Sequence, residues 1–156
     1  MGDGRSVVDV DAHFLDTSGN LAEYMDDDDP WTERFEEARM DMLPNPTPDL
    51  YRGGRIQRQE VGYPTGRDDV VAIQEHVGFD KIVLIPMAAL LVTNINADDQ
   101  RPHLLSKAFV ELMLDRVVDP SEGIYSIIPA PTNAPEESVE LIEEYADEES
   151  LVGVCL

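Results

Sequence analysis

The stretch Val7-Val8-Asp9-Val10-Asp11-Ala12-His13 sets two carboxylates and an imidazole at every second position. In an extended strand, residues two apart point to the same side. The alternation therefore predicts Asp9, Asp11 and His13 on one face, with Asp11 and His13 at the C-terminal end. A carboxylate and an imidazole one strand step apart can reach a single divalent cation, and both are zinc ligands. Residues of these types at a strand end also hydrogen-bond neighbouring loops. D-x-H is a short pattern, so spacing alone leaves both roles open. If the acids were buried, they would need a partner or a metal to offset lost hydration.

Other residues with chemical potential are more scattered. Arg52, Arg55, Arg58 and Arg67 account for four of the nine arginines. An arginine fork can hold a substrate carboxylate by two parallel hydrogen bonds; in so acidic a chain it can equally form local salt bridges. His76 falls in an expected helix beside apolar positions, and the reading for it is a partly exposed helix histidine. His103 follows Pro102 at an expected helix start, where a capping or surface role is expected. Asp26 to Asp29 reads as a solvated turn. There is no Ser/His/Asp order, no Gly-rich phosphate loop and no HExxH motif.

The elements that must position these residues can be read from periodicity. Residues 6–13 are rich in valine, too short for a core helix, and predict a strand. Residues 14–66 hold many Pro and Gly positions and predict a long irregular insertion, interrupted by one short helix over 31–42. Residues 68–77 predict a helix with Val70, Val71, Ile73 and Val77 inward and Gly78 as its stop. The continuous apolar run 81–86 predicts a strand buried on both faces. Residues 102–118 predict a helix opened by Pro102, with Leu104, Leu105, Ala108, Phe109, Leu112, Met113 and Val117 on one face. A third strand is expected at 124–128 and a third helix at 135–148, with Val139, Leu141, Ile142 and Tyr145 inward. A fourth strand is expected at 151–156. Alternating strands and helices predict an α/β fold around a parallel sheet. In such sheets the chemistry sits at the C-terminal ends of the strands.

Composition narrows the partners. The 156 residues carry 33 acidic and 11 basic side chains, a formal net charge of −22, and residues 117–156 contain no Lys or Arg. A field of that sign argues against nucleic acid and against anionic membrane surfaces, both of which need a basic face. The acids are spread along the chain, and only Lys81 and Lys107 are lysines. Diffuse acidity of this kind fits a halophilic protein whose carboxylates keep it hydrated in concentrated salt; binding of cations or basic partners is the other reading. Cys155 is the single cysteine, so no intrachain disulfide can form. No signal segment opens the sequence and no apolar run is long enough to cross a bilayer. The expected location is cytoplasmic.

Taken together, VVDVDAHFLD, a long loop, GFDKIVLIP, YSIIPAP and LVGV resemble the N-terminal half of the amidohydrolase-2 family. Its members are metal-dependent TIM-barrel hydrolases and decarboxylases, of the aminocarboxymuconate-semialdehyde decarboxylase-like kind. The resemblance covers nearly all of the chain in element order, and its specific part is the first strand. It implies that Asp11 and His13 are two metal ligands, with zinc as the first choice of divalent metal and manganese as the second. It further implies a small carboxylic acid or amide as substrate, with Arg52, Arg55 or Arg58 as candidates to hold a substrate carboxylate. Relatives often carry a Tyr-Asn pair in the helix after the second strand, where this chain reads Ala108-Phe109-Val110. They complete their metal site from later strands, which here would follow Leu156. A full barrel needs about 250 residues. Residues 1–156 are therefore expected to form the N-terminal half of a TIM (β/α)8 barrel, without the C-terminal half. Such a half would associate with a second copy or with a complementary C-terminal half. The alternative is an inactive fragment or a split-gene subunit with no catalysis of its own.

Overall fold

The computed structural model describes residues 6–14, 21–25, 32, 66–86 and 102–156. Within them lie strand β1 (Val8–Phe14), helix α1 (Arg67–Val77), strand β2 (Lys81–Pro86), helix α2 (Pro102–Arg116), a 3-10 turn (Pro120–Glu122), strand β3 (Ile124–Pro129), helix α3 (Pro135–Glu144) and strand β4 (Leu151–Cys155). The alternation expected from the sequence is present, with ends displaced by a few residues. The helix expected over 31–42 lies outside the described residues, apart from Thr32.

Local chemistry explains the boundaries. Asp68 and Asp69 sit in the first turn of α1, where the helix dipole favours negative charge. Gly78 ends that helix with φ +88°, and its N–H donates to the Gln74 carbonyl at 2.7 Å. A glycine adopts that left-handed conformation without the steric cost a Cβ brings. Pro135 opens α3, followed by Glu136 and Glu137 in its first turn. Gly123, between the 3-10 turn and β3, has φ +74°, and a Cβ there would meet the Asp80 carbonyl oxygen at 2.4 Å. No other residue type fits that approach without moving backbone.

The four strands form one parallel sheet in the order β1-β2-β3-β4. When each strand pairs with its predecessor, crossovers of one hand bring every helix to the same face. The packing agrees. Phe14, Ile82, Leu84 and Ile124 from the strands share a cluster with Val70 of α1, Met113 of α2 and Val117 just beyond it. Ile128 of β3 packs with Val110 of α2 and Leu141 of α3. Burying a side chain such as Ile82 or Leu84 stabilises the fold by about 2 kcal/mol. Ser126 is the buried polar residue of this strand face, and its hydroxyl donates to the Leu84 carbonyl at 3.1 Å. The alternate residues Val83, Ile85, Tyr125 and Ile127 point to the other face and are half-buried.

Helix faces differ in detail from the expected stripes. Val77 and Val139 are more than half exposed, whereas Gln74 and Ser138 are buried. In each case the covered positions keep helical spacing: Val70 and Gln74 buried in α1, and at α3 Ser138 and Leu141 buried with Ile142 and Tyr145 half-buried. The polar members survive burial because they are paired. Gln74 Nε2 donates to the Glu122 carbonyl at 3.2 Å, and Ser138 Oγ donates to the Pro131 carbonyl at 2.8 Å. In α2, Leu104 is half-buried, while Ser106 and Val110 are buried. That helix is covered over more than one stripe, because Leu105, Ala108 and Phe109 also meet Leu21 and Ala22 from the segment after β1. Tyr24 fixes this segment further: its hydroxyl donates to Asp115 Oδ2 at 2.5 Å, while Arg116 lies over its ring and pairs with Glu23. Burial, then the bond to Asp115, pushes the Tyr24 hydroxyl up to about 12.

Among the described residues, no helix is long and apolar enough to cross a membrane.

Candidate metal centre

All four strands are parallel, so Phe14, Pro86, Pro129 and Cys155 mark one common end of the sheet. His13 reaches that end paired with Ile85, on the face that the described helices leave open, and Phe14 beside it turns into the helix-covered core. Asp11 and His13 do come together. Asp11 Oδ1 lies 3.8 Å from His13 Nε2, with the Asp11 side chain 80% exposed and that of His13 38%.

Asp9 is not the third member of that face. Asp9 pairs with Ile82 and Ala12 pairs with Leu84, so three steps along β1 match two along β2. This is a β-bulge, which shifts the alternation by one residue. Asp9 consequently lies on the side of Ile82 and Leu84, while His13 lies on the side of Ile85. The Asp9 carboxylate serves the bulge itself: its Oδ1 accepts the Asp11 backbone N–H at 3.0 Å. The sequence pattern alone carries no signal for this inserted residue, because strict period-2 alternation reads the same with or without it.

The donor pair suits a cation in type and nearly in spacing. Ligands at about 2.1 Å in a tetrahedral shell stand about 3.4 Å apart. Closing from 3.8 Å needs a shift of a few tenths of an ångström, and both side chains are exposed enough to move. Among the described residues, no group of three or more His, Cys, Asp or Glu side chains is placed to hold a metal ion. Cys155 shares the same sheet end, but burial pushes its thiol up.

The other candidates separate clearly. Arg52, Arg55 and Arg58 lie outside the described residues, as do Asp26 to Asp29. Arg67 is described, and it serves the backbone. Its Nε and Nη2 donate to the Val117 and Val118 carbonyls, each at 3.1 Å, and Nη1 meets Asp119 Oδ2 at 3.4 Å. It thus closes the C-terminal end of α2, where carbonyls lack helical partners and a cation is favoured. Asp119 in turn caps the 3-10 turn by accepting from the Ser121 hydroxyl at 2.6 Å and from its N–H at 3.0 Å. Those bonds, the hydroxyl's first, hold the Asp119 carboxyl below the usual range. In the sequence Arg67 stands between the expected insertion and the expected helix over 68–77, and its partners beyond α2 lie some 50 residues away along the chain. His76 is exposed and His103 is half-buried at the start of α2.

A cleft of about 350 Å³ lined by Gln74, Glu75, Phe79, Asp80 and Glu122 lies at the opposite end of the sheet, before β2 and β3 begin. It is remote from His13 and from the end where parallel β/α folds carry chemistry.

Fold and site together define an α/β protein with a four-stranded parallel sheet, its described helices packed on one face, and an Asp-His pair at the strand ends. No protein-family model and no curated protein matches the chain.

Proposed function

We propose that this chain is the N-terminal, half-barrel part of a metal-dependent hydrolase or decarboxylase of the amidohydrolase kind, acting on a small carboxylic acid or amide. The observation that carries the reading is the Asp11–His13 pair, 3.8 Å apart at the C-terminal end of β1. The winding supports it. A sheet ordered β1-β2-β3-β4 with helices on one face follows the pattern of a (β/α)8 barrel, of which four strands are half. A doubly wound sheet would instead reverse its strand order and carry helices on both faces.

In this reading, Asp11 would offer a carboxylate oxygen and His13 an imidazole nitrogen to a zinc or manganese ion. Such an ion activates water or polarises a substrate carboxylate. A catalytic zinc normally has three protein ligands, so further donors must join the two named here. Arg52, Arg55 and Arg58 remain the candidates for a substrate carboxylate.

The test is to purify the protein in molar salt and measure bound zinc and manganese, alongside hydrolysis of small amides and carbon dioxide release from small aromatic acids. Metal at one ion per site, lost in the Asp11→Ala/His13→Ala double variant, supports the reading. A wild-type protein that takes up neither metal overturns the assignment of Asp11 and His13 as a metal site in this chain.

A further inference from the structure

We draw no further inference here: the strongest candidate, the exposed apolar patch that Val152 and Val154 of β4 form with Leu156 at the edge of the described sheet, carries nothing because nothing in the structure shows what covers it.

Discussion

Asp9 Oδ1 accepts a hydrogen bond from the Asp11 backbone N–H at 3.0 Å, across the point where β1 gains one residue on β2. Two acids that alternate in sequence therefore have separate tasks: one shapes the backbone, the other faces outward beside His13. Asp9→Ala removes the acceptor and should destabilise the protein by about 1 kcal/mol, the usual net value of one such bond. Asp9→Asn keeps an acceptor oxygen and should stay close to wild type. Denaturant unfolding in molar salt measures both; equal stability of Asp9→Ala and wild type would contradict the bulge assignment.

Arg67 offers a second structural test. Two backbone carbonyls and a carboxylate depend on its fork. Arg67→Ala should cost about 2 kcal/mol, in the range for hydrogen bonds to a charged group. Arg67→Lys should recover less than half of that, because an ammonium cannot reproduce the planar geometry. Thermal melts read the difference. A fully rescued lysine variant would show that charge alone matters there.

Alkaline pH should loosen the contact between the 21–25 segment and α2. The folded state raises the Tyr24 hydroxyl from an ordinary value of 10 to about 12, so folding favours the protonated phenol. That contribution is fully present below pH 10 and is lost as pH rises through about 12. Tyr145 moves in the same direction, through burial first and its bond to Glu111 second. Among the five tyrosines, an absorbance titration at 295 nm should show a late-ionising fraction that shrinks in Tyr24→Phe. Ionisation of every tyrosine near pH 10 in the folded protein would contradict this.

Salt should matter more than for an ordinary domain. The net charge is −22, and Lys107, Arg67 and Arg116 are cations that tie α2 to its neighbours through Glu144, Asp119 and Glu23. Self-repulsion among the remaining acids is screened over about 10 Å at 0.1 M salt and about 3 Å at 1 M. The melting temperature should rise by roughly 10 °C between dilute and molar salt, equivalent to about 3 kcal/mol for a chain of this size. Equal melts at the two ionic strengths would sink the halophilic reading.

The order of elements was legible because each has a strong local signature. The apolar run 81–86, Pro102 and Pro135 at helix starts, and Gly78 at a helix end leave few alternatives. The pair Asp11–His13 was legible for the same reason, since period-2 spacing survives from Asp11 onward. Three features were not. The bulge depends on how β1 registers against β2, which is a long-range property. The burial of Gln74 and Ser138 depends on carbonyls of Glu122 and Pro131, which only the folded chain brings near. Arg67 reads as another charge of the insertion until α1 and the end of α2 are placed side by side.

The most direct test of the central claim is the response of individual histidine rings to metal. The chain has three histidines, of which His13 is the proposed ligand, while His76 and His103 act as internal controls. Imidazole nitrogen–proton correlation spectra in molar salt should show saturable perturbation of His13 on zinc addition. His76 and His103 should be unmoved, and Asp11→Asn should weaken the response by at least tenfold, about 1.4 kcal/mol. A His13 ring that ignores zinc, or that responds no more than His76 and His103, would contradict the account.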